Sequence, residues 1–241
     1  MLDDNNLSMK KRKFCLMELL SFGVAFFSLL SCTQEDEHVY SCNKYVNEFV
    51  KKNLDEIHQM TRKDWLKTDP TMGRAVYIAF TASQKYYFWE EKFAELKSLS
   101  WSEKEMKHIV LAENFLKTHK NLFNEGPLSS SEEDDLDLFF YKWVKDAETN
   151  LGWNKNICYS IVATGEKVAD TKGNLIVPPL GKSGVVKPYG VEPTCNCHIE
   201  SDFCGLGNSL RLECGDDPNC NPSDGGCGWF LAQSCNGKCK F

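Results

Sequence analysis

The chain has 241 residues, with 28 Lys and Arg against 34 Asp and Glu, 12 cysteines, and 42% of its residues hydrophobic. That hydrophobic share excludes an intrinsically disordered protein and a multi-span membrane protein, and it leaves room for one or two small domains. A net charge of −6 without a compensating basic stripe argues against a nucleic-acid partner, because phosphate binding needs clustered Lys and Arg.

The N-terminus carries Lys10-Lys11-Arg12-Lys13, an apolar run from Phe14 to Leu30, and then Leu29-Leu30-Ser31-Cys32. A basic start, a short apolar stretch and small residues before a cut site make a secretory signal, and the run is too short to span a bilayer comfortably. Leu-Leu-Ser-Cys resembles the bacterial lipobox, which implies that Cys32 is acylated and becomes the first mature residue. An ordinary signal cut nearby is the alternative. Glu18 interrupts the apolar run, and Asp3 and Asp4 precede the basic cluster, so Met9 is a second candidate start. The acidic run Thr33-Gln34-Glu35-Asp36-Glu37 reads either as a surface-export signal or as a solvated tether. With an acidic mature chain, acyl chains rather than basic residues would hold the protein to the membrane.

From Cys42 to about Asp146 the spacing is helical. Tyr45, Val46, Phe49, Val50, Leu54 and Ile57 fall on one face of a first helix. Asp69-Pro70 predicts the start of a long second helix reaching about Leu99, since a proline loses nothing in the first turn. Ser102 and Glu105 have capping-box spacing and predict a third helix to about Leu122. Ser131, followed by Glu132, Glu133, Asp134 and Asp135, predicts a fourth helix by placing an oxygen cap and negative charge at the positive end of the helix dipole. Leu136, Phe139, Phe140, Trp143, Val144, Ala147 and Leu151 form its apolar stripe. Four such helices with short loops bury their stripes against one another, which is a small bundle. His38, His58, His108 and His119 fall in no metal-ligand spacing, and Tyr86, Tyr87, Phe88, Trp89 and Phe93 read as core. The acidic run from Glu132 to Asp137 lacks the alternation and turn glycine of a calcium loop, and reads as a helix start.

Ile157-Cys158-Tyr159-Ser160-Ile161-Val162 reads as a strand, and Asp170-Thr171-Lys172-Gly173-Asn174 as a turn before Leu175-Ile176-Val177. A linker rich in Pro and Gly follows. Residues 195–241 then hold Cys195, Cys197, Cys204, Cys214, Cys220, Cys227, Cys235 and Cys239. With Cys15 in the signal and Cys32 lipidated, Cys42 and Cys158 remain outside the tail. Both groups are even in number, so an oxidising destination predicts four tail disulfides and a Cys42–Cys158 bridge. A zinc site is the competing account, but no Cys-x-x-Cys knuckle is present. The tail has too few large apolar residues to hold itself by burial, so cross-links must shape it. On the order of 100 connectivities are open to eight cysteines.

Cys195-Asn196-Cys197, Ser201-Asp202-Phe203-Cys204, Gly226-Cys227-Gly228-Trp229 and Ser234-Cys235-Asn236-Gly237 together resemble the fulvocin C-related bacteriocin family. The resemblance covers the tail alone, and the interval from Cys204 to Cys214 is longer here. It implies an antibacterial role for residues 195–241.

The expected organisation is a lipoprotein signal peptide (1–31), an acidic tether (32–41), a helical domain (42–151), a hairpin and linker (152–194) and a cysteine-rich bacteriocin-like module (195–241). The fold class is mainly α, with a four-helix bundle-like domain ahead of a small disulfide-rich module. Two functions are open. One is an antibacterial peptide or precursor acting on a surface receptor of a competitor cell, with the tail either tethered or released by cleavage in the linker between Pro178 and Pro193. The other is a non-toxic lipoprotein of the outer membrane or cell surface that displays the tail for binding. For the second, Trp229, Phe230 and Leu231 are candidate contact residues, unless they form the tail's own mini-core. The tail is acidic, with Glu200, Asp202, Glu213, Asp216, Asp217 and Asp224 against Arg211, Lys238 and Lys240, which disfavours direct attack on anionic membranes. The chain shows no nucleophile motif, phosphate loop, metal set or cofactor signature, and so reads as a non-enzyme whose partners are a membrane, through its lipid, and a cell-surface receptor. Its oligomeric state is not legible.

Overall fold

Helix starts set the architecture. The computed structural model describes residues 38–41, 43–176, 195, 197–201, 213–216 and 222–240, with the side chains of 213, 239 and 240 excepted. Its helices are α1 (Lys44–Lys52), α2 (Leu54–Ile57), α3 (Arg62–Trp65), α4 (Pro70–Ile78), α5 (Ala82–Lys97), α6 (Glu103–Thr118), α7 (Ser130–Asp146) and α8 (Lys155–Val162). A 3-10 turn at Lys120–Phe123 follows α6, and a π turn at Ala147–Leu151 extends α7. Four helices begin with reciprocal capping boxes: Thr61 with Asp64, Thr81 with Gln84, Ser102 with Glu105, and Ser129 with Glu132. Each box satisfies two backbone N–H groups that the helix itself leaves without a partner.

These caps correct the expected boundaries. The long helix from Pro70 is two helices, because Thr81 and Gln84 restart the chain after α4 ends at Ile78. The fourth long helix is capped by Ser129, three residues before Glu132, and Ser131 lies inside it. The segment Ile157–Val162 is helical, not a strand. Asn154 caps it by accepting from Ile157 N at 3.0 Å, and Ile157, Cys158, Ile161 and Val162 then bury one face at spacings of three and four. A short apolar run carries no periodicity that separates strand from buried helix. On α1 the inward face is Val46 and Val50, whereas Tyr45 and Phe49 are exposed.

A hairpin forms around the expected turn, but its first strand is β1 (Lys167–Val168) rather than Ile157–Val162, paired with β2 (Leu175–Ile176). Asp170 Oδ1 accepts from Lys172 N at 2.9 Å and from Asn174 N at 3.3 Å. Gly173 is required twice over: its φ is +81°, and a Cβ there would lie 2.9 Å from Ile157 Cα at the start of α8.

The tail contributes β3 (Glu213–Gly215), β4 (Ser223–Cys227), β5 (Gln233–Cys235) and β6 (Lys238–Lys240). β3 pairs antiparallel with β6, and β4 pairs antiparallel with β5 through an irregular register. A bridge between Cys197 and Gly237 ties the start of the tail to its end. The fold is thus mainly helical, with short strands and two described disulfides near its C-terminus.

One hydrophobic core unites both parts. Trp89, Phe93, Leu116, Phe140 and Trp143 belong to the same buried cluster as Trp229 and Phe230. Residues from His38 onward form one compact unit.

Candidate functional site: a polar cleft where the tail meets the helices

The 3-10 turn Trp229–Leu231 docks the tail. Trp229 stacks on Phe140 of α7 with ring centroids 4.7 Å apart, and Phe230 meets Trp89 of α5 edge-on at 5.1 Å. A buried relay fixes the backbone: Trp89 Nε1 donates to Tyr77 Oη at 3.0 Å, and Tyr77 Oη donates to Phe230 O at 2.9 Å. Burial raises the Tyr77 phenol above its ordinary pKa. Asp137 Oδ1 accepts from Trp229 Nε1 at 2.8 Å and from Gln233 Nε2 at 3.0 Å, while Gln233 Oε1 accepts from Trp229 N at 3.0 Å. Burial outweighs those donors and holds the Asp137 pKa above the usual value.

The turn's backbone is unusual for its residues. Phe230 and Leu231 have φ of +54° and +53°, a left-handed geometry that side chains other than Gly, Asn and Asp rarely adopt. Gly228 precedes them at φ +65°, and a Cβ there would lie 2.0 Å from Gln233 Oε1. The Cys227–Cys235 disulfide closes this loop at its base.

These contacts correct the assignment of Trp229, Phe230 and Leu231 as an exposed contact site. Trp229 is 7% exposed, Phe230 is fully buried and Leu231 is half-buried. They are not a mini-core of the tail either, because their partners are helical aromatics.

Docking leaves a cleft of about 420 Å³ between α4, the turn after α8 and the tail. Arg74, Tyr159, Glu166, His198 and Ser201 bring polar groups to it, and Trp65 and Leu231 bring apolar ones. The turn at 163–166 is a buried loop whose carbonyls need donors. Arg62 Nη2 donates to Gly165 O at 2.9 Å, and Lys92 Nζ donates to Thr164 O and to Glu166 O. Arg62 and Lys92 are 2% and 1% exposed. Burial, reinforced by the Arg62 charge, holds the Lys92 pKa well below its ordinary value. Glu95 balances Arg62 across a 2.7 Å ion pair.

On this wall Glu166 is desolvated. Burial raises its pKa against the pull of Lys92 and Arg62, and among the described residues its Oε2 has no hydrogen-bond partner. The Tyr159 phenol is raised by burial and feels both charges of the cleft, Arg74 favouring its ionisation and Glu166 opposing it. Arg74 is itself desolvated and coupled to Tyr159. From the tail side, His198 Nδ1 lies 2.8 Å from Ser234 O. A carbonyl can only accept, so Nδ1 carries a proton. Ser201 is 4% exposed, and its Oγ has no partner among the described residues. Ser201 and His198 therefore do not form the hydrogen-bonded pair that activates a nucleophile.

Ser201 also lines a second groove of about 760 Å³, bordered by Leu138, Tyr141 and Val144 of α7 and by Cys158. Cys158 is a free buried thiol, so the expected bridge to Cys42 is not formed. Its place on the inward face of α8 explains this, and burial pushes the thiol up to about 12. In the tail, Cys197 pairs with Cys214, Cys227 pairs with Cys235, and Cys195 is also disulfide-bonded. Cys32, Cys42, Cys204, Cys220 and the side chain of Cys239 lie outside the described residues, as do the signal and the linker from 177 to 194. No group of three or more His, Cys, Asp or Glu is placed to hold a metal among the described residues. Likewise, no helix among them is long and apolar enough to cross a membrane.

The cleft residues Arg74, Tyr159 and Glu166 carried no motif in the sequence. His198 was visible only as the tail's one histidine, and Ser201 only as part of the bacteriocin-like pattern. Compared with protein-family models, with curated proteins and with solved structures, the chain matches none.

Proposed function

We propose that this is an exported, lipid-anchored protein of the bacterial cell envelope that binds a ligand in the cleft, with the cysteine-rich tail as one wall of the site. In this reading Cys32 carries the acyl chains, and a helical bundle built on α5, α6 and α7 is the scaffold. The oxidising destination is supported by the tail's disulfides. The observation that carries the reading is the burial of Trp229 and Phe230 in the helical core. A tail destined for release would have to withdraw two aromatics, each worth about 150–250 Å² of burial, from that core.

The antibacterial role implied by the fulvocin C resemblance stands as the competing reading, acting from a tethered tail or from a released one, and its released form requires a tail that leaves. Replacing Gly181-Lys182-Ser183-Gly184 by a specific protease site and cutting the purified protein separates the two. The binding reading expects the cut halves to stay together through size-exclusion chromatography and to leave competitor lawns unharmed. A tail that dissociates and inhibits growth overturns it in favour of the released peptide.

A further inference from the structure

We propose that the groove along α7 is a docking site for a short peptide segment of a partner protein, one that carries Lys or Arg beside a bulky apolar side chain. The site is separate from the cleft, and it depends on the docked tail only because Trp229 and Glu200 form part of its wall. α7 is apolar on two faces. Leu136, Phe140 and Trp143 point into the core, which accounts for the first. On the second, Leu138 and Tyr141 are 54% and 64% exposed, and half-buried Val144 continues the line at the same spacing of three. Apolar side chains scattered singly over a surface need no partner, but a strip of them bordering a groove of about 760 Å³ is a contact surface.

Charge names the occupant. The groove sets the carboxylates of Asp134, Asp137, Glu148 and Glu200 against the ammonium groups of Lys145 and Lys155. Asp134 and Asp137 lie together in the N-terminal half of α7, and Glu200 approaches from the tail: burial is the main cause of the raised Asp137 pKa, and the Glu200 charge adds to it. A cation entering between these carboxylates relieves their repulsion, whereas an anion compounds it. Tyr141 already accepts such a group, since Lys145 Nζ lies 5.9 Å from its ring centroid. Length then separates a peptide from a small amine. The lining runs along the helix from Asp134 to Glu148, about 20 Å at helical rise, which is the span of about six extended residues.

The test pans a displayed library of random heptapeptides against the full purified chain at low ionic strength, and measures the enriched peptides, made synthetically, by fluorescence anisotropy. The expected result is enrichment of Lys or Arg together with Phe, Tyr, Trp or Leu, with affinity that falls as salt rises. Tyr141→Ser should weaken binding about fivefold or more, and Asp134→Asn combined with Glu200→Gln about three- to tenfold. All three side chains are exposed, so the variants should melt with the parent. Enrichment of acidic or uncharged peptides overturns the ligand class. Basic peptides indifferent to both variants overturn the site, and a library that shows no enrichment overturns the proposal. Docking of the tail is decided separately by the cleavage experiment, so a tail that dissociates and a groove that takes no peptide are distinct results.

Discussion

The helical body and the tail are held by different physics. The body is secured by caps and by burial: four capping boxes start its helices, and aromatic residues of α5, α6 and α7 fill its centre. The tail has short strands and disulfides, and its two large buried aromatics point into the body rather than into itself. Cross-linking therefore sets the tail's shape, and docking sets its position. A small stapled segment can export its apolar residues to a neighbour because its own fold does not depend on burying them internally.

The sharpest way to break this contrast is at Phe230. Phe230→Ala removes a fully buried ring between Trp89, Phe93 and Phe140, and should cost about 3–5 kcal/mol in urea unfolding. The helical circular dichroism should persist, while the tail becomes cleavable by protease. A loss of helix together with the tail would mean the two regions share one stability and are not held separately. Replacing Cys227 and Cys235 together by Ser comes next, at about 2–3 kcal/mol, because it frees the loop that presents Trp229 and Phe230. Reducing agent should reproduce that loss in the parent and have no further effect on the variant at this loop.

Asp137→Ala should cost about 1–3 kcal/mol, since it leaves the Trp229 indole and the Gln233 amide without their shared acceptor. Its signature is a change in Trp fluorescence at the junction before the helices melt. The smallest effect is a pH dependence confined to the body. Burial depresses the His108 pKa below 6.5, with the Trp143 carbonyl and Asp146 opposing the shift. The unfolded chain then takes up a proton near pH 6.5 that the folded chain refuses. Stability is full above that pH and falls as pH drops toward the folded value. The urea midpoint should decline between pH 7 and pH 5, and less so in His108→Gln.

Much of the body was legible because its signals are local. Asp69-Pro70, Ser102 with Glu105, and the stripe Leu136, Phe140, Trp143, Ala147 each declare a helix within a few residues, and the structure places helices there. The Asp170–Asn174 turn was equally plain, through Asx bonds and a glycine. Thr81 with Gln84 has the same capping-box spacing, but the apolar pattern runs on across it and masks the break. The strand expected at Ile157–Val162 failed for a different reason: in a mostly apolar run of six residues only Asn154, outside the run, tells helix from strand.

The site was not legible at all. Asp137 and Trp229 are 92 positions apart, and Arg62 reaches Gly165 across 103. No spacing rule links such pairs. The candidate contact residues Trp229, Phe230 and Leu231 were singled out for their size and apolarity, and those same properties sent them into the core. Cys158 was assigned to a bridge on parity, and parity carries no information about whether a thiol faces another thiol or a hydrophobic interior.

The Tyr77 hydroxyl offers an internal gauge of closure. Because the phenol is fully buried beneath the Phe230 turn, it resists base beyond the point where solvent-facing tyrosines ionise, near pH 10. An alkaline absorbance titration of the parent against Tyr77→Phe would isolate that one late step. The pH at which it arrives would mark when the tail lets go of the helices, with no label attached to the protein.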